Sequence, residues 1–153
     1  MRDYLLKLFA HEHWANHNLL SALKETPQVP PRTAALVAHI MGAHAFWHMR
    51  VCGVAIPEYN FWPDFALEEC NARNEEYAVK WPEYVRALPE PIDSQLVSYV
   101  GLDGTPRTFR ALDLLTQLHS HSVHHRAQIM LSMRSAGLET VNTDYLLYCI
   151  LHP

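Results

Sequence analysis

Four of the chain's eleven histidines, His119, His121, His124 and His125, fall within seven residues of one another, inside the segment Leu114 to Arg134. That segment holds no Gly or Pro and stops just before Gly137, so it predicts a helix of several turns. Leu114, Leu118, His121, His125 and Ile129 recur at steps of four, three, four and four. Residues spaced this way stack on one helix face. His121 and His125 therefore lie one turn apart in an otherwise apolar stripe, where two imidazoles can chelate a single metal ion. The plainer alternative is a pair of core histidines, each hydrogen-bonded to a polar neighbour. His124 competes with His125 as partner of His121. Each residue turns the helix by about 100°, so 125 lies about 40° from 121 on one side and 124 about 60° on the other. His125 lines up with Leu114, Leu118 and Ile129, whereas His124 lines up with Gln117, Ser120 and Ala127. The apolar row is the inward one, so His125 and not His124 is the expected ligand.

Two further i, i+4 pairs compete. His13 and His17 are flanked by His11, Glu12, Asn16 and Asn18, which predicts a solvated or partly buried face. His44 and His48 lie on a face next to that of His39, which sits among Leu36, Ala43 and Phe46. A two-histidine chelate needs at least one more ligand. His39 is a candidate and His44 its rival; periodicity does not decide between them.

The elements that must position these residues follow from period and punctuation. Asp3 to Lys24 predicts a first helix, ended by Pro27, Pro30 and Pro31. Arg32 to Cys52 predicts a second, with Thr33 as N-cap and Gly53 at its end. The loop to Pro63 carries Tyr59, Phe61 and Trp62, which cover a core end or line a pocket mouth. Asp64 is the expected N-cap of a third helix to about Lys80, with Pro82 breaking or kinking it before a segment to Leu88. Gln95 to Phe109 changes period, and Asp103-Gly104 marks a hairpin turn. A fourth helix starts near Phe109 or Arg110 with Thr108 as N-cap, and a short one follows Thr143-Asp144. The expected fold is all-α: an antiparallel four-helix bundle, residues 1–153 as one domain, with a short extended excursion before the fourth long helix. Bundles build metal sites between facing helices.

Composition narrows the partners. At 153 residues the chain can bury about two-thirds of its unfolded surface without disulfide staples. Apolar residues make up 49 % and charged ones 18 %, which excludes a disordered chain. The net charge is −4 and the twelve Lys and Arg are scattered, which argues against nucleic acid as partner. No apolar run is long enough to span a bilayer, and the first residues lack a signal peptide's apolar run. Cys52, Cys70 and Cys149 form no C-x-x-C pair, which fits reduced thiols and a cytoplasmic protein.

Four stretches together resemble the DinB/YfiT-like family over nearly the whole chain. WANHNLLSAL is similar to its W-A-N segment, and LVAHIMGAHAFWHMRVCG to its second-helix motif of an apolar-flanked His, an aromatic and a Gly. HSVHHRAQIMLSMRSAG resembles H-x-x-H-H-R-G-Q, and TDYLLY resembles T-D-x-x-x-Y. The resemblance implies a four-helix bundle holding a divalent metal through three histidines, which at matching positions are His39, His121 and His125. Three departures stand out. Ala127 replaces a Gly, His44 stands where the family often has Glu, and Gln117 stands where many members carry another histidine. Arg126 and Gln128 match the motif, with helix packing or a solvated face as their expected roles. Asn16, Asp144 and Tyr145 are candidates for orienting ligands or substrate, with helix capping as the equal alternative for Asp144 and core packing for Tyr145.

Three protein ligands leave a coordination position open, unlike the four of a closed structural site. The resemblance implies a metal-dependent enzyme working with a low-molecular-weight thiol such as bacillithiol or mycothiol. The reaction class is thiol transfer to an electrophilic substrate or thiol-assisted isomerisation. The implied cofactor is one divalent ion, zinc or nickel first, with iron or manganese as alternatives. A non-catalytic metal-binding stress-response protein is the second reading. A homodimer is expected from the resemblance and from the aromatic run Tyr59 to Trp62.

Overall fold

A computed structural model describes residues 1–153. The chain is mostly helical. Four long helices, α1 (Arg2–Lys24), α2 (Pro31–Val51), α3 (Leu67–Ala87) and α4 (Ala111–Ser135), are followed by the short α5 (Tyr145–Leu151). Between α3 and α4 lie a 3-10 turn, Ile92–Ser94, and an antiparallel hairpin, β1 (Leu96–Val100) with β2 (Pro106–Arg110). The all-α expectation therefore holds only as a mostly helical fold with a small two-stranded sheet. The hairpin turns where Asp103-Gly104 predicts, with Gly104 at φ 77°. No helix is long and apolar enough to cross a membrane. All three cysteines are free thiols.

α1 packs mainly on α3 and α2 mainly on α4, with further contacts of α2 with α3 and of α1 with α4. The buried apolar side chains fall into two clusters. One gathers Leu5 and Phe9 of α1, Trp81 and Val85 of α3, and Leu115 and Leu118 of α4. The other gathers Leu19 and Leu23, Leu36, Val37, Ala38, Ile40 and Met41, Cys70, Ile129 and Met133. Between them, on every long helix, the buried positions turn polar: Glu12 and Asn16, His44, Asn74, and Ser122 and Arg126.

Several helix starts differ from expectation, each for a local reason. Thr33 is not an N-cap. α2 opens with Pro31 at its first position, where a missing N–H costs nothing, and Thr33 is fully buried with its hydroxyl on Ser132 of α4 at 2.9 Å. Asp64 does not cap α3, which starts three residues later after an extended Ala66. Thr108 does not cap α4. It sits in β2 opposite Ser98, hydroxyl to hydroxyl at 2.8 Å, and α4 begins straight after the strand. Pro82 does not break α3, which runs unbroken from Leu67 to Ala87. A proline inside a helix costs about 3 kcal/mol, and each large apolar side chain fully buried returns about 1.5–3. Trp81 and Val85, both essentially inaccessible, flank it and offset the loss. The end of α4 is as expected: Gly137 adopts φ 74° and Leu138 N donates to Met133 O, the hydrogen bond of a glycine-terminated helix.

Candidate metal centre

α4 presents His121 and His125 one turn apart, and α2, packed beside it, brings His39 to the same point. The Nε2 atoms of His39 and His121 are 3.1 Å apart, and so are those of His125 and His121. The far nitrogens explain why three ring nitrogens face one another. His39 Nδ1 lies against the backbone carbonyl of Phe61, and His125 Nδ1 lies 2.9 Å from Gln128 Oε1. A carbonyl oxygen only accepts, so each Nδ1 carries the proton and each Nε2 presents a lone pair. His121 has one Nε2, which can donate to one of its neighbours and not to both. At least one of the two contacts is then lone pair against lone pair. Protonation does not resolve it, because burial, helped by the neighbouring His125 and His39, pulls His121 down to about 4. A cation between the three nitrogens does. Tetrahedral ligation by imidazoles at about 2.0–2.1 Å spaces the nitrogens by about 3.3 Å, close to what the rings already show. The residues present fit a divalent metal ion.

The surroundings are partly shielded. His39 is buried, while His121 and His125 are half-buried. The indole of Trp62 stacks on His39 with centroids 4.3 Å apart and stays 57 % exposed, so it roofs the site on the solvent side. The rest of its loop is anchored. Tyr59 donates to Gly42 O at 2.8 Å, and Tyr59 and Phe61 pack on Phe46. The loop aromatics thus serve the centre and the adjoining core end. His124 is exposed and accepts from Gln128 Nε2 at 3.0 Å; its ring stands edge-on to His125 at 5.1 Å and is not among the three converging donors. Gln128 has a role that its motif position alone does not reveal: its amide bridges His124 and His125.

His44, the rival third ligand, is not brought to this point. Trp81 Nε1 donates to its Nδ1 at 2.9 Å, so its Nε2 carries the proton and faces Glu12 Oε1 at 3.3 Å. Both ring nitrogens are occupied inside the polar layer. Glu12 lies at that layer's centre, with Arg126 Nη1 at 2.7 Å and His119 Nδ1 at 3.1 Å. Arg126 also donates to Asn16 Oδ1 at 2.9 Å. Burial alone would raise the Glu12 carboxyl, but the guanidinium and the histidine N–H groups outweigh it and hold it well below the ordinary carboxylate range. Arg126 is accordingly neither a solvated nor a simple packing residue; it neutralises a fully buried carboxylate.

The three candidates for orienting ligands act elsewhere. Asn16 belongs to the Glu12 layer, Asp144 caps α5 by accepting from Leu146 N and Leu147 N, and Tyr145 packs edge-on against His11. A cleft of about 650 Å³ opens on the α5 side of α4, lined by His11, His119, Arg126 and Tyr145 among others, and it does not include the three histidines. His13 and His17 lie apart, facing Glu75 of α3, and His48 packs beside Trp81 and Cys52.

The model of the DinB family matches residues 64–151, which includes α4 and its histidines. A relative, Protein DinB of Bacillus subtilis (strain 168), is 24 % identical over 167 aligned positions, covering 99 % of this chain and 96 % of its own length. No solved structure matches. With more than half of its length matched by that family model, the chain belongs to the DinB family.

Proposed function

We propose that the chain holds one divalent metal ion through His39, His121 and His125 and uses it as a metal-dependent enzyme acting with a small thiol. The carrying observation is the set of three Nε2 atoms that face one point, two of them fixed as lone pairs by carbonyls behind their rings. A bound divalent ion with three protein ligands supplies an open position at which a thiol or water is favoured in its deprotonated form. The chain's own contribution is orientation. The Phe61 carbonyl sets the His39 ring, which Trp62 also covers, and the Gln128 amide sets the His125 ring. Transfer of the thiol to an electrophile, or a thiol-assisted isomerisation, is the reaction class that the family resemblance favours. Zinc and nickel suit three imidazoles. In this reading the four long helices form an antiparallel four-helix bundle and the whole chain is one domain.

The test is a turnover screen of metal-loaded protein against a panel of low-molecular-weight thiols and electrophiles, reading thiol consumption. Consumption that is lost in His121→Ala supports the enzyme. Full metal content without turnover of any pair contradicts it and leaves a metal-binding protein.

A further inference from the structure

A second group of donors lies on a different face of the molecule, between α1 and α3. His13 and His17 stand one turn apart on α1, and both face a single oxygen of Glu75 on α3. His13 Nε2 is 3.0 Å from Glu75 Oε1 and His17 Nδ1 is 3.7 Å from the same atom. The three donor atoms lie within 4.8 Å of one another. The two distances bracket the separation of about 3.3 Å that tetrahedral ligation at about 2.0–2.1 Å requires.

The charges point the same way. The neighbouring carboxylates on α3 have cations of their own: Glu69 pairs with Arg73, and Glu76 with Lys80. Glu75 has none; its only ionic partners are the two imidazoles. One N–H from each ring could satisfy the oxygen, but two rings competing for one atom at unequal distances is a poor hydrogen-bond arrangement. The frame that holds the group is firm. α1 and α3 share the most extensive helix contact of the fold, and Asn74 Nδ2 reaches the backbone carbonyl of His13 at 3.4 Å.

We infer that His13, His17 and Glu75 form a second divalent-metal site, of the zinc or copper class, that pins α1 to α3. The donor set is two imidazoles and one carboxylate, a set zinc accepts with water filling the remaining position. His17 and Glu75 are about half exposed, so the site exchanges with solvent and fills only when free metal is supplied. Nothing in it requires the three-histidine centre.

The test is a zinc titration of the full-length protein, first stripped of metal with a chelator that is then removed, against a chromophoric zinc indicator, with the stoichiometry read per chain. Wild type takes up two ions. His13→Ala/His17→Ala takes up one, and His121→Ala also takes up one. Glu75→Gln weakens the second ion by at least about tenfold, no less than the loss of an outer-shell partner costs. Glu76→Gln on the same helix leaves it unchanged. In the His121→Ala background, zinc raises the thermal midpoint, and the rise disappears when Glu75→Gln is added. A wild type whose stoichiometry and affinities are the same as those of His13→Ala/His17→Ala overturns the second site. So does a Glu75→Gln protein that binds like wild type. Loss of no ion in His121→Ala overturns the three-histidine centre instead, so the two failures are distinct.

Discussion

Two of the three rings at the three-histidine centre are assigned by what stands behind them. The carbonyl of Phe61 and the amide of Gln128 hold protons on Nδ1 of His39 and His125, which leaves Nε2 free. Such partners of ligating histidines are commonly worth about 10–100-fold in metal affinity. Gln128→Ala should therefore weaken binding by about tenfold or more in competition with a chromophoric chelator, while Gln128→Glu, which keeps an acceptor, should retain affinity. Equal affinity in Gln128→Ala and wild type would contradict this role. His121 and His125 were legible because two histidines one turn apart in an apolar stripe have few other uses. Their depth was not. Ser122 and Arg126 take the centre of the buried stripe, and the two histidines stand at its edge toward α2, half-buried. The Phe61 carbonyl had no signature, since a backbone atom in a loop leaves no trace in residue type. Gln128 had one, being three residues after His125 and so within reach on the same helix.

At the scale of the element, the polar layer decides more than any cap. α1 shows it in its spacing: Leu5, Phe9, Glu12, Asn16, Leu19 and Leu23 recur at helical steps and all are buried. α4 does the same with Leu115, Leu118, Ser122, Arg126, Ile129 and Met133. The pattern was in the sequence, but a charged residue in a stripe reads as solvated until its counter-charge is known, and that counter-charge lies 114 residues away. Glu12→Gln leaves the Arg126 guanidinium buried without a carboxylate. Breaking a buried pair in this way costs about 3–5 kcal/mol, and urea unfolding should show a loss of that order. A loss below about 1 kcal/mol would mean that water reaches the layer and screens it. Helix starts were less legible, because Pro31, Ala66 and Arg110 open helices without any side-chain cap. Pro82 misled for the opposite reason: tertiary burial of Trp81 and Val85 overrides a local penalty.

The whole molecule has two apolar clusters built without any metal ligand in them. Chelation should accordingly lower the thermal midpoint and leave the helical circular dichroism at room temperature intact. Collapse of the helical signal on chelation would show that the ion is part of the fold. The aromatic run behind the dimer expectation is largely committed elsewhere. Tyr59 and Phe61 pack on Phe46, and Trp62 on His39. Leu146, Ile150 and Leu151 of α5 are exposed instead. The central claim, that three rings from α2 and α4 hold one tightly bound ion, is tested most directly by the metal content of dialysed protein in neighbouring histidine variants. Wild type and His124→Ala should each retain about one ion per chain, because His124 faces Gln128 and solvent, and His125→Ala should lose most of it. Full metal content in His125→Ala, or loss in His124→Ala, would contradict the account.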